Sequence, residues 1–485
     1  MKKWSTKAIV LSILAAVCFF CMPMGASAKE YAAIQNGIYA GDLSLAGLTV
    51  EEAAQLIEDY VASLETVEIN LLAADGNTVV VTAGDLGISW ANREILDDAI
   101  RIGSQGNVVQ RYKVLKNLEN ENKVYPLELE FNIMAIDAIL QEQCSIYDRE
   151  AIDYTLSYEN GNFSVNEGQI GYLLDIEHSI DIIYDYLTKE WNHEACSIEL
   201  NIEVFEPRGS VEELMQVKDV LGSYTTSFTD VRTNRGANVI NGCRLMNGIT
   251  LYPGDEISAL ECMEPFTERN GYYAASSYLN GRVVDSLGGG ICQVTTTLYN
   301  AVLLAELEIT ERYNHSMIVT YVDPAADAAV ASNTKDFKFV NNSDYPIYIE
   351  GYTTPNALIT FNIYGVETRD PGHKVEYVSE ILETLPPVGD SLVADPSRPL
   401  GVYDVEGAHI GYKARLWKIV TENGKEVSRE VVNNSSYKTV PRSAVIGVAT
   451  DDPNVYNEIM AAIGTGSLDH VRNVIALLTT PQPAQ

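Results

Sequence analysis

A short pattern recurs at a fixed distance in this chain. Gly84-Asp85-Leu86-Gly87 returns as Gly168-Gln169-Ile170-Gly171, 84 residues on. Each copy follows an alternating run, Asn77-Thr78-Val79-Val80-Val81-Thr82 in the first and Asn162-Phe163-Ser164-Val165 in the second. Such alternation puts successive side chains on opposite faces of a strand. Each copy also precedes apolar residues at helical spacing: Ile95, Ala99 and Ile102, then Ile180, Ile183 and Leu187. A pattern repeated at this period indicates one supersecondary unit built twice. It predicts two related α+β units, over 29–120 and 121–210. Further helices are predicted over 49–64 and 133–143, the first opened by a Thr49/Glu52 capping box. A small unit built twice serves binding or spacing more often than catalysis.

The N-terminus reads as a secretory leader. Lys2, Lys3 and Lys7 precede an apolar run from Ala8 to about Met24, and Ala26-Ser27-Ala28 is a small-x-small cleavage site. Residues 1–28 are therefore expected to be removed. No later stretch is apolar enough to span a bilayer, so no stable membrane span is expected after cleavage. The chain carries 33 basic and 67 acidic residues, a net charge of −34. That balance argues against nucleic acid and anionic lipid as partners, which both require basic patches. Outside the leader stand Cys144, Cys196, Cys243, Cys262 and Cys292. The odd count leaves at least one thiol without an intrachain partner. Cys144 with Cys196, and Cys243 with Cys262, are the candidate pairs. Without a CxxC pair a cysteine zinc site is not expected, and no metal or cofactor is called for.

A mixed α+β domain is predicted over 220–365. A strand over 222–228 and a helix over 235–246 precede a long helix after Gly290. Strands follow at Phe337-Lys338-Phe339 and at Tyr348 to Tyr352, with Asn341-Asn342-Ser343-Asp344 expected as the hairpin turn between them. A β-rich module is predicted over 366–450, with a turn at Asn423-Gly424, and a helical tail over 451–485. Its last residues, Pro481 to Gln485, are expected to be disordered.

The sharpest chemistry lies in Gly288-Gly289-Gly290-Ile291-Cys292-Gln293. Glycines adopt backbone angles closed to other residues and let a substrate approach closely. Cys292 falls in the first turn of the following helix, where free N–H groups and the helix dipole favour a thiolate. Gly288, Gly289, Gly290, Gln293 and Ser316 are candidate substrate or oxyanion contacts. A cysteine nucleophile needs a base, and the region offers one histidine, His315, expected on a returning strand. Asp327 or Asp336 could orient its ring, or Asp323 less readily. The order thiol on a helix, histidine on a strand, acid on the next resembles that of transglutaminase-like and papain-like enzymes.

The stretch 234–349 resembles the VanW domain. The residues that carry the likeness are Asn234-Arg235-Gly236-Ala237-Asn238, Asn247-Gly248-Ile249 with Pro253-Gly254, Gly271-Tyr272, Gly288 to Gln293, Glu311-Arg312 with His315-Ser316, Asp327-Ala328, and Asp344 to Ile349. The chain departs from that pattern at Ala326-Asp327, where the family usually places Gly-Arg before the acid. The repeat region resembles the peptidoglycan-binding domain that often precedes VanW domains, and 411–447 resembles a degraded G5-type module. The resemblance implies a cell-wall setting, with peptidoglycan or a related polymer as partner, and supplies no established reaction. Three readings follow: an envelope binding protein, a Cys–His amidase, peptidase or transpeptidase acting on a peptidoglycan amide, and a redox or ligand-sensing thiol. The distance from Cys292 to His315 separates the first two.

Overall fold

The computed structural model describes residues 33–279, 282–332 and 334–479. The predicted leader and the Pro481–Gln485 segment lie outside the described residues. The architecture is α+β and multi-domain, with a β-rich C-terminal region ending in a helical tail. Among the described residues no helix is long and apolar enough to cross a membrane. The chain falls into two compact units, one drawn from Met1–Arg149 and Tyr172–Val204, the other from Glu150–Gly171 and Phe205–Gln485.

In the first unit, helix α1 (Val50–Leu64) begins at a reciprocal cap. The Thr49 hydroxyl accepts from the Glu52 N–H at 3.2 Å, and the Glu52 carboxylate accepts from the Thr49 N–H at 2.9 Å. Such a cap contributes about 1 kcal/mol. The buried stripe Ala53, Ile57, Val61 and Leu64 shares one apolar core with strands β1 (Glu68–Leu72) and β2 (Thr78–Thr82) and helix α2 (Ile95–Arg101). The chain then supplies a hairpin to the second unit, β3 (Thr155–Glu159) and β4 (Asn162–Asn166). It returns as helix α3 (Ile176–Lys189) and strand β5 (Cys196–Glu199). Strand β5 runs parallel to β1, completing a sheet of order β5-β1-β2. Strand, glycine turn and helix thus recur in the predicted order in both copies.

In the second unit, strand β6 (Asp219–Ser227) and helix α4 (Asn234–Met246) come first. Short strands β7 (Ile249–Leu251) and β8 (Glu256–Ser258) follow, then the hairpin β9 (Ala274–Leu279) and β10 (Arg282–Leu287). Helix α5 (Ile291–Leu304) leads to strands β11 (Glu308–Glu311), β12 (Lys338–Val340), β13 (Ile347–Thr353) and β14 (Leu358–Gly365). An antiparallel sheet of order β6-β14-β13-β7 carries α4 and α5 on one face. A second sheet has the order β8-β12-β11.

The expected hairpin between β12 and β13 is absent, because these strands belong to different sheets. Asn341 is fully buried. Its side-chain amide donates to the carbonyls of Leu251 and Tyr345, and its carbonyl accepts from the Ser343 N–H at 3.1 Å. The turn chemistry is as the sequence reads, but it switches the chain between sheets. Neither candidate cysteine pair is joined: all five cysteines of the described residues are free thiols.

The C-terminal module pairs β15 (His373–Leu385) with β16 (Gly411–Glu422), and β16 with β17 (Lys425–Tyr437). The β16–β17 turn is Asn423-Gly424, both at positive φ (51° and 82°), the geometry of a type I′ hairpin. The tail comprises two helices, Pro453–Gly464 and Leu468–Thr479. At the joint with α5, His373 stands between two carboxylates, Nδ1 at 2.7 Å from Glu422 and Nε2 at 2.7 Å from Glu306. Glu306 also meets Lys418 at 2.7 Å and Arg369 at 3.4 Å. The Glu422 hydrogen bond raises the His373 pKa, partial burial opposes it, and Glu306 adds to the rise. A raised folded pKa contributes stability that is complete below the unfolded value near 6.5 and fades as pH rises through the folded value. His373→Gln is therefore expected to cost more stability at about pH 6 than at about pH 9. Urea unfolding at both pH values measures this, and equal losses would contradict it.

Candidate thiol site

Helix α5 is buried on nearly every side: Ile291 and all residues from Gln293 to Leu303 are inaccessible. Its apolar face meets the sheet so closely that a Cβ on Gly222 would lie 2.2 Å from the Ala301 carbonyl oxygen. Its polar face is committed too. Thr295 and Thr296 hydroxyls donate to the Ala328 carbonyl at 2.8 and 3.1 Å, and the Asn300 amide donates to the Ala326 carbonyl at 2.8 Å. Buried polar groups are tolerable only when paired. Here the pairing pins the chain on both sides of Asp327.

Cys292 is the second residue of α5 and is partly exposed. The helix enters through Gly288 and Gly290, at φ 79° and 110°. A Cβ on Gly289 would lie 2.2 Å from the Ala275 carbonyl oxygen. The Asn238 amide donates to the Tyr273 and Gly289 carbonyls at 2.9 Å each. The glycines therefore let three backbone segments cross tightly and aim the helix start at the loop between β11 and β12.

That loop carries the other two groups. His315 lies four residues beyond β11, and Asp327 twelve further on, both in irregular chain. The strand expected for His315 is replaced by a ring closed on one carboxylate. Asp327 Oδ2 accepts from the His315 main-chain N–H at 2.7 Å and pairs with its Nδ1 at 2.6 Å. With Nδ1 so engaged, Nε2 is the nitrogen left to face Cys292, and the imidazole stands close enough to the sulfur for each to shift the other's titration. The sulfur also lies 3.4 Å from the Val330 carbonyl oxygen.

Electrostatics follow from this order. Burial by itself would raise the thiol pKa, but the hydrogen bond and charge of His315 outweigh it and bring Cys292 below the usual thiol range. Burial would also lower the imidazole, but hydrogen bonds to Asp327 and Cys292 raise His315 to about 9. Asp327 is completely buried and is held below the usual carboxylate range by His315 and Arg312 against the effect of burial. Both shifts act in the direction of a thiolate–imidazolium pair over the neutral one.

The structure distributes the other sequence candidates differently. Asp336 does not join the ring; it accepts from Ser258 Oγ, the Leu260 N–H and the Phe337 N–H, tying the start of a short helix. Gln293 is 1% exposed, its amide donating to Thr226 and the Ser227 carbonyl and accepting from Arg235. Ser316 is held through its carbonyl by the Lys438 N–H at 2.8 Å. Three further groups, none of them a candidate from the sequence, join the site. Arg312 meets Asp327 Oδ1 at 3.0 Å, the Tyr437 hydroxyl donates to the same oxygen at 2.5 Å, and Tyr321 stands edge-on to His315 with centroids 6.4 Å apart. Arg312 lies within the VanW-like pattern, whereas nothing local marks Tyr437. A cavity of about 470 Å³ is lined in part by Arg312, Asn314, Lys418 and Asn433, and by none of Cys292, His315 and Asp327.

Fold and site together define an α+β protein in which a partly exposed helix-start cysteine stands beside a buried His–Asp pair. Three family profiles match it: "VanW like protein" over 234–364, "Putative peptidoglycan binding domain" over 79–194, and "G5 domain" over 380–451. The uncharacterized protein YoaR of Bacillus subtilis (strain 168) is 32% identical over 212 residues, which span 44% of this chain and 68% of YoaR. The vancomycin B-type resistance protein VanW of Enterococcus faecalis (strain ATCC 700802 / V583) is 23% identical over 145 residues, 28% of this chain and 52% of that protein. The chain belongs to the VanW family. Among solved structures, the G5 domain of IgA1 protease is 24% identical, covering 16% of this chain and 94% of that one at a TM-score of 0.13. The HP0197 G5 domain is likewise 24% identical, covering 16% and 95% at a TM-score of 0.10. The C-terminal match corrects one expectation: the G5 pattern, read as degraded from 411–447, extends from residue 380 and is recognised as such.

Proposed function

We propose that this is an exported cell-envelope protein that attaches to peptidoglycan through its N-terminal region and carries out thiol-dependent acyl transfer on a peptidoglycan amide. The peptidoglycan-binding and G5 matches support the cell-wall setting, and the N-terminal leader pattern supports export. One observation carries the chemistry: Asp327 holds the His315 ring through Nδ1 at 2.6 Å, and that ring and the Cys292 thiol each shift the other toward its charged form.

In the proposed reaction the Cys292 thiolate attacks the amide carbonyl carbon. A carbon–sulfur bond forms, and the tetrahedral oxyanion sits near the Cys292 N–H, the Ile291 and Gln293 N–H groups beside it being committed to the Gly288 and Gly290 carbonyls. His315 gives its proton to the departing amine as the carbon–nitrogen bond breaks, leaving a thioester. Water, or the amine of a second strand, then attacks the thioester while His315 takes up its proton, and the thiolate leaves. Asp327 holds the ring throughout.

The test is to incubate the protein from Lys29 onward with soluble peptidoglycan fragments and analyse it by intact-mass spectrometry after rapid acid quench. A thioester adduct on Cys292, absent in Cys292→Ala, is expected, with released fragments of matching mass. Unchanged fragments and no adduct, alongside retention on insoluble peptidoglycan, would replace this reading with that of a binding protein.

A further inference from the structure

We infer that strand β17 of the C-terminal module supplies positioning residues for the thiol centre, Tyr437 directly and Ser435 through Arg312. The inference rests on the thiol reading above and extends it to a part of the chain outside the VanW-like stretch.

Asn433, Ser435 and Tyr437 alternate along β17 and so share one face of the strand. All three end on the loop that bears His315 and Asp327. The Asn433 amide donates to the Ala325 carbonyl at 3.1 Å and to the Tyr299 hydroxyl at 3.0 Å. Ser435 Oγ accepts from Arg312 Nη1 at 2.9 Å. The Tyr437 hydroxyl accepts from the Ala325 N–H at 2.7 Å. A main-chain N–H can only donate, so the phenolic proton is left for Asp327 Oδ1. Backbone contacts flank these: the Lys438 N–H donates to the Ser316 carbonyl, and the Asn314 amide donates to the Ser436 carbonyl.

The two oxygens of Asp327 therefore have separate tasks. Oδ2 serves His315 alone, while Oδ1 is held by Arg312 and Tyr437. A carboxylate free to rotate would offer the histidine either oxygen in many orientations. Fixing Oδ1 from behind fixes Oδ2 in front, and with it the tautomer and aim of the imidazole. Ser435 and Tyr437 are 4% and 1% exposed. An interface serving packing alone would favour apolar groups there, since burying polar ones gains little net stability.

The pH dependence of Cys292 alkylation in Tyr437→Phe and Ser435→Ala tests this, with thermal unfolding of each measured alongside. For Tyr437→Phe we expect the rate at about pH 7 to fall about tenfold and the profile to move toward higher pH, the effect of loosening one charge-assisted bond. Ser435→Ala should move both the same way by a smaller factor. Folded variants that keep the wild-type profile, even with lowered unfolding temperatures, would overturn the inference and leave β17 a packing strand. If Tyr437→Phe does not fold, Ser435→Ala decides. A wild-type profile already that of an ordinary thiol would instead overturn the thiol reading itself, and this inference with it.

Discussion

Iodoacetamide should label Cys292 of the folded protein at a pH where the other thiols stay silent, and His315→Ala should abolish that selectivity. Burial, with a smaller contribution from Asp148, pushes Cys144 up to about 11, and burial alone pushes Cys243 to about 12. Burial also raises Cys196 and Cys262. Cys292 alone among these five is shifted downward. A free thiol titrates near 8.5, so the wild-type alkylation profile should have its midpoint below that. Removing the imidazole leaves burial and the Asp327 charge opposed only by the Val330 main chain, and the midpoint should rise above the free-thiol value. The rate at about pH 7 should then fall at least tenfold, because a thiol far below its midpoint ionises about ten times less for every further pH unit that separates them. Peptide mapping after a brief pulse identifies the labelled residue. Labelling spread over several cysteines, or indifferent to His315, would sink the thiolate–imidazolium pair.

Asp327→Asn should be the most destabilising conservative change in the second unit. The carboxylate is wholly buried and accepts from the His315 N–H, His315 Nδ1, Arg312 and Tyr437. Its amide replacement turns one acceptor into a donor facing other donors, and leaves the Arg312 side chain, 8% exposed, without its counter-charge. Breaking a buried ion pair from one side costs about 3–5 kcal/mol, on the order of 10 °C in unfolding temperature for a domain of this size. The depressed pKa of Asp327 means that its contribution is complete above the unfolded value near 3.9 and is lost as pH falls through the folded value. The full loss should therefore appear at neutral pH. Adding Arg312→Met to Asp327→Asn should recover part of it, because the stranded charge is then gone. Calorimetry of the two single variants and the double variant closes the cycle; strictly additive losses would mean that the pair is not coupled.

How much of this was legible in the sequence depends on the range of the interaction. The Thr49 cap, the Asn423-Gly424 turn and the helix after Gly290 each depend on residues within a few positions, and the chain forms them where the pattern predicts. Asn341 shows the limit. Its turn chemistry is local and was legible, but the partner strands on either side are set by sheet assembly. The choice between Asp327 and Asp336 could not be made from spacing, because both lie within reach of His315 along the chain. It is made by Thr295, Thr296 and Asn300 of α5, which grip the chain beside Asp327, and by Ser258, which takes Asp336. Threonines in a helix signal nothing about the loop they will hold. Tyr437 is 110 residues from the carboxylate it touches, a pairing that only the folded arrangement of two modules creates.

The hairpin β3–β4 bears on how this protein can be dissected. The polypeptide passes between its two compact units after Arg149, after Gly171 and after Val204, so a protease that nicks one junction leaves two covalent threads uncut. A fragment begun at Phe205 would lack the hairpin, whose Leu156, Tyr158 and Phe163 pack on Tyr348 and Tyr364 of the sheet behind the thiol domain. Such a truncation bares an aromatic surface on a sheet that is otherwise covered, and aggregation is its expected fate. A soluble fragment of the thiol domain must carry Glu150–Gly171 with it, grafted or co-expressed, even though that stretch comes from the middle of the region the sequence assigns to the repeats.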